Sequence, residues 1–164
     1  MRSAALKKGI KISSALLLCV YLTALIYALF LAEEYGRSAA AAGYNICPFR
    51  EITRYIRYRK VLGFRTVFLN LAGNVIGFMP LGMLVPILAK DLRSFWKVGA
   101  LSFEISLIVE ISQLILQVGC FDVDDMILNT LGGLAGYALF FLMNRRWERL
   151  SDRNERFAQS GKTE

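Results

Sequence analysis

Four apolar runs, each close to the length of a bilayer-crossing helix, constrain this chain more than any other feature. They cover residues 12–31, 67–88, 98–118 and 126–143. A helix rises about 1.5 Å per residue, so about 20 apolar residues match a hydrocarbon core of about 30 Å. The first run follows Arg2, Lys7, Lys8 and Lys11 in the manner of a signal peptide. It is too long for a signal peptide's apolar region and reads as a retained first helix. The fourth run is the shortest. Backbone in lipid must satisfy its own hydrogen bonds, which helices do within one segment. The expected fold is an all-α integral membrane protein with four transmembrane helices.

Charge agrees with that class. Only 20% of residues are charged against 55% hydrophobic, where a soluble domain carries roughly a quarter charged. The net charge of +7 then points to membrane lipids rather than nucleic acid. The chain has no histidine, which excludes a Ser-His-Asp triad, a histidine-based lipid phosphatase site and histidine-ligated zinc. No cofactor or metal is expected. Cys19, Cys47 and Cys120 lack the CxxC spacing of zinc or redox motifs.

An even number of spans puts both termini on one side, and the positive-inside rule selects it. Thirteen Lys and Arg lie in the N-terminal flank, the 89–97 loop and the tail, against seven in the 32–66 connection. Both termini are therefore expected in the cytoplasm. Five of those seven outer charges lie in "PFREITRYIRYRK" from Pro48. With Pro48 as first helical residue, Phe49, Ile52 and Ile56 share one face and Arg50, Arg54 and Arg57 another. Gly63 would end such a helix. A short interfacial amphipathic helix between the first two spans fits this pattern, and a solvated basic loop is the alternative.

Polar side chains inside spans are costly and usually face the bundle interior or a watery cavity. Measured from the outer face, Asn70 and Asn74 fall about 6 and 12 Å deep, Glu110 about 12 Å, Gln113 about 8 Å and Asn129 about 5 Å. All lie in the outer half. Ser106, Glu110, Gln113 and Gln117 step along one face of the third helix. Beyond this layer the sequence "GCFDVDDMILNTLGG" sets Asp122, Asp124 and Asp125 at the mouth of the fourth span. The aspartates are expected to rim an outward-facing polar cavity, with Arg50 and Glu51 on the same side. Glu104 faces elsewhere, nearer the cytoplasmic half, and stays outside this group.

Structural roles compete for the same residues. Asn, Gln and Ser often bond across membrane helices, at about 0.6 kcal/mol on average. Asp124 or Asp125 would suit the N-terminus of helix four. Gly132 and Gly136 form a GxxxG that permits close helix packing. Pro80 and Pro86 are expected to kink helix two and release carbonyls that need partners. Glu110 is harder to reduce to glue, because a deep carboxyl needs a partner or a changed charge state.

Four stretches, in order, are similar to the VanZ-like family, named for an accessory protein of glycopeptide resistance. They are "NICPFREI" (45–52), "NLAGNVIGFMPLGMLVP" (70–86), "SLIVEISQ" (106–113) and "FDVDDMILNTLGGLAGY" (121–137). The motif positions that carry over are Pro48, Phe49, Asn70, Gly73, Asn74, Pro80, Glu110, Gln113, Asp122, Asp124, Asp125, Asn129 and Gly132. The resemblance implies a multi-pass protein of the bacterial cell membrane, associated with lowered susceptibility to teicoplanin-like lipoglycopeptides. It implies a membrane domain over residues 1–143, followed by a cytoplasmic basic tail over 144–164. This sequence has Cys120 where relatives often carry a polar or basic residue. With Cys47 on the same side, a disulfide between the two is an open alternative.

Two functions from different classes follow. In the first, the outer polar site binds or shields a lipid headgroup, a lipid-linked envelope precursor or an amphiphilic antibiotic. Arg50 and Arg54 would grip phosphate there, since guanidinium forks match phosphate oxygens. In the second, an intramembrane enzyme modifies a lipid or lipid-linked substrate. Glu110 would serve as catalytic acid or base, and the Asp122, Asp124 and Asp125 cluster would bind a divalent cation.

Overall fold

The computed structural model describes residues 2–30 and 43–160. Residues 31–42 of the expected 32–66 connection, and 161–164 of the expected tail, lie outside the described residues. The helices are α1 (Arg2–Phe30), α2 (Arg50–Arg57), α3 (Arg59–Leu62), α4 (Phe64–Leu88), α5 (Phe95–Ile115) and α6 (Val123–Ser160). Four contain segments long and apolar enough to cross a membrane: Lys8–Phe30, Phe64–Leu88, Phe95–Ile115 and Val123–Leu150. The all-α expectation holds, with shifted boundaries. Helix α6 continues through residues 143 and 144 without a break.

The bundle is apolar outside and partly polar inside. Leu16, Leu17, Val20, Ile108 and Ile115 are exposed, while Ser102, Ser106, Glu110, Gln113 and Asn129 are buried. That inversion is stable when the surrounding solvent is hydrocarbon. Phe78, Leu81 and Leu84 of α4, Val98 of α5, and Met126 and Phe140 of α6 form the apolar part of the core.

Helices α4 and α6 meet through backbone. A Cβ built on Gly132 would stand 2.2 Å from the Val75 carbonyl oxygen, and one on Gly136 would stand 2.0 Å from that of Met79. Between lipid-exposed helices close van der Waals contact drives association, and only glycine allows this approach. The GxxxG of the sequence is therefore a packing face. Helix α5 joins through Ser102, whose hydroxyl sits where a Cβ on Gly133 would be. Helix α1 packs on α4, and the Tyr21 hydroxyl donates to the Gly77 carbonyl at 2.7 Å.

Pro80 and Pro86 both lie inside α4, which stays one continuous helix. The Pro86 carbonyl, in the last turn, accepts from Arg93 Nε at 2.9 Å. The Arg93 guanidinium also lies 5.3 Å from the Phe140 ring centre. One cation thus closes the end of α4 and ties it to α6.

The third span stops at Ile115 rather than residue 118. Gln117 takes φ 56°, Val118 N–H donates to the Gln113 carbonyl and Gln117 N–H to that of Leu114. This is a Schellman ending made without its usual glycine. Gln117 therefore leaves the helix and does not extend the buried row.

Candidate functional site

The short segment 43–62 lies across one end of the bundle, where α1 ends, α4 begins, α5 ends and α6 begins. Two backbone devices hold it. Tyr44 and Asn45 pair in parallel with Phe121 and Asp122, a two-residue ladder too short to leave any alternation in the sequence. After α2 the chain bends at Tyr58, forms α3, and turns at Gly63 into α4. Gly63 has φ 80° and ψ 151°, a conformation open essentially to glycine alone. Gly63 ends α3, whereas the basic helix expected to run up to it already stops at Arg57.

The start of α2 departs from expectation. Pro48 lies in a turn before the helix, and the helix begins at Arg50 after Phe49 in the left-handed region at φ 65°. The cause is Asp124. Its carboxylate, only 1% exposed, accepts from Phe49 N–H through Oδ1. Its other oxygen accepts from Glu51 N–H at 2.7 Å and Ile52 N–H at 3.1 Å. The first amides of a helix have no intrahelical partners, and an anion among them is favoured by hydrogen bonding and by the helix dipole. Asp124 therefore caps α2, from more than seventy residues away in sequence, and does not cap its own helix.

Asp122 fills that role for α6. Its Oδ1 accepts from Asp124 N–H at 2.8 Å, the geometry of an N-cap. The same oxygen accepts from Asn45 Nδ2 at 2.9 Å. Burial raises the Asp122 carboxyl above its ordinary range, against the lowering pull of these hydrogen bonds and of Arg54. Asp125 Oδ1 accepts from Asn74 Nδ2 at 2.6 Å, joining α6 to α4. The three aspartates thus hold three different joints. Among the described residues no three acidic, cysteine or histidine side chains converge where they could hold a metal ion.

Below them the polar row of α5 is also engaged. Glu110 is 2% exposed, and its Oε2 accepts from Asp122 N–H at 2.8 Å. Gln113 Nε2 donates to the Leu29 carbonyl at 3.0 Å, fastening the end of α1. Asn129 Nδ2 donates to Ser106 Oγ at 2.9 Å. Asn70 turns back on its own helix and donates to the Thr66 carbonyl at 2.8 Å. The structure links Glu110, Asp122 and Asp124 through hydrogen bonds, pairs Asn74 with Asp125 beside them, and turns Asn70 back onto its own helix.

The arginines face the other way. Arg50, Arg54 and Arg57 are exposed along one side of α2, at i, i+4 and i+7. Arg54 pairs with Glu51 at 2.5 Å and lies 5.1 Å from the Tyr55 ring centre. Arg50 and Arg57 form no ion pair among the described residues. Phe49 and Ile56 are exposed, while Glu51, Ile52 and Tyr55 are the half-buried face. The expected inner face of Phe49, Ile52 and Ile56 is thus rotated, because Asp124 fixes how the first turn sits. Exposed Val61 and Phe64 follow at the end of the segment.

Asn45 and Tyr55 were not singled out from the sequence. Asn45 lies in the "NICPFREI" stretch, and its amide both caps Asp122 and accepts from Cys47 N–H at 3.3 Å. Among the described residues no disulfide joins Cys47 and Cys120.

A family model for VanZ/LLP1 matches residues 18–144, a range that contains every residue of this network. The chain belongs to the VanZ/LLP1 family. It is 31% identical over 139 residues to Protein VanZ of Enterococcus faecium, across 82% of this chain and 78% of that protein. No solved structure matches. Membership and the four apolar helices make the chain a multi-pass membrane protein. Within this VanZ/LLP1 chain, Asp124 fastens α2 to the bundle.

Proposed function

We propose that this VanZ/LLP1 member uses α2 as a fixed basic platform on the outer membrane surface, holding an anionic amphiphile and so lowering susceptibility to teicoplanin-like lipoglycopeptides. The termini are then cytoplasmic, in keeping with thirteen basic residues on their side against seven on the other. The ligand class is a lipid headgroup or lipid-linked envelope precursor bearing phosphate.

One observation carries this reading. The acids are turned inward onto backbone and amide partners, whereas the row Arg50, Arg54 and Arg57 is exposed. Exposed Phe49, Ile56, Val61 and Phe64 flank that row and suit the apolar part of the same ligand. Guanidinium groups on a pre-set helix match phosphate oxygens without the ordering cost of a loose loop. Glu110 is engaged in holding the fold, since one of its oxygens accepts the Asp122 amide hydrogen at 2.8 Å.

The test uses the full chain in nanodiscs of zwitterionic lipid, titrated with a fluorescent polyprenyl phosphate and followed by anisotropy. Binding should weaken as salt rises, because surface charge pairing is screened. It should be lost in Arg50→Gln/Arg54→Gln/Arg57→Gln. Equal binding by that variant would end the proposal.

A further inference from the structure

Glu104 is an acidic side chain at mid-span that the network of the outer end leaves unused. It lies nine residues into α5, which runs Phe95–Ile115. That places it about 14 Å from one end and about 17 Å from the other, near mid-membrane. Successive residues turn by about 100°, so Glu104 points opposite to its buried neighbours Ser102 and Ser106. It is exposed, and among the described residues its carboxylate has no hydrogen bond or ion pair. Unlike lysine or arginine, glutamate has too short a stem to reach the membrane surface from that depth. A lone carboxyl facing hydrocarbon demands a partner.

We propose that this face of α5 is an interface between two copies of the chain, closed at mid-membrane by their two Glu104 carboxyls. The same face presents Ala100, Phe103, Ile108, Ile111 and Ile115, all exposed. Ala100, one turn from Glu104, lets a second helix come close. Identical chains share one orientation in the membrane, so a two-fold axis along the normal sets each residue against itself at equal depth.

A carboxyl pair sharing a proton donates and accepts at once, and so satisfies itself. Other outward surfaces of the chain do not offer that match. Ile76 of α4 and Leu131 of α6 are exposed but apolar. The Thr23 hydroxyl of α1 already donates to the Cys19 carbonyl at 3.0 Å, and the Cys19 thiol is a weak donor. The cations of the spans, such as Arg65 and Lys97, lie at their ends. Of the outward-facing groups named here, the Glu104 of a second copy is the one that answers Glu104 at its own depth.

The experiment labels the full chain with donor and acceptor dyes and follows energy transfer in lipid vesicles as the protein is diluted in lipid. The intact chain should remain dimeric where Glu104→Leu dissociates. The loss expected is about tenfold in dimer affinity, the scale of one interhelical hydrogen bond in a membrane. Glu104→Gln, which still donates and accepts, should stay close to the parent.

Cysteine cross-linking locates the contact, in a background with Cys19, Cys47 and Cys120 changed to Ser. Ala100→Cys and Ile108→Cys should link two copies, and Leu131→Cys should not. An intact chain that is monomeric at all dilutions overturns the proposal. So does a dimer that Glu104→Leu leaves unchanged, or one that links through Leu131→Cys instead.

Discussion

Replacing Asp124 by Ala should release α2 from the bundle while leaving the spans packed. The carboxylate accepts three backbone N–H groups, from Phe49, Glu51 and Ile52. Each donor left without a partner costs about 1–3 kcal/mol when buried. Water reaches part of this region once the side chain is gone, so the sum settles at about 3 kcal/mol for the docked helix. At about 1.4 kcal/mol per factor of ten, that is roughly a hundredfold increase in opening. Hydrogen exchange on the chain in nanodiscs reads it directly: amides 49–52 should exchange roughly a hundredfold faster, and the α6 interior around Gly132 should not change. Asp124→Asn should fall between, because its one remaining oxygen suits Glu51 and Ile52 while its NH₂ confronts the Phe49 N–H. Unchanged exchange at 49–52 would refute the capping argument. Equal loss across all helices would refute its confinement to α2.

Two further outcomes test the packing and the electrostatics. Gly132→Val should lower thermal stability in detergent by about 1–3 kcal/mol or more, because its Cβ would sit 2.2 Å from the Val75 carbonyl oxygen. Gly73→Ala, with nothing within 4 Å of its Cβ, should be neutral or gain about 0.5–1 kcal/mol. The Asp122 carboxyl is raised in the fold, so the folded state holds its proton to higher pH than the unfolded chain does. Stability should therefore fall as pH rises from the ordinary value of 3.8 through the raised one. Asp122→Asn keeps an acceptor for Asn45 and Asp124 N–H and should flatten that slope, as measured by unfolding at stepped pH.

The spans were legible because hydrocarbon thickness leaves one solution for a long apolar run. Gly132 and Gly136 were legible for a related reason, since small residues four apart mark where helices touch. The aspartates announced themselves by their place, but not by their duties. Asp124 serves amides that are 72 to 75 residues away, and nothing local says so. Local logic assigned it to α6, where Asp122 is the residue that caps. The left-handed turns at Phe49 and Gln117 were hidden because neither carries glycine, the usual sign of that conformation. The rotated face of α2 follows from the first of these, since the turn and the cap together fix which residues look inward.

The acids of this end build the fold, and the proposal assigns ligand binding to the exposed arginines. Susceptibility to teicoplanin, in a Gram-positive host expressing either the parent or Arg50→Gln/Arg54→Gln at equal membrane abundance, tests that division most directly. The parent should protect and the arginine variant should not, with amide exchange at 49–52 unaltered. Full protection by the arginine variant, with α2 still docked, would contradict the proposal.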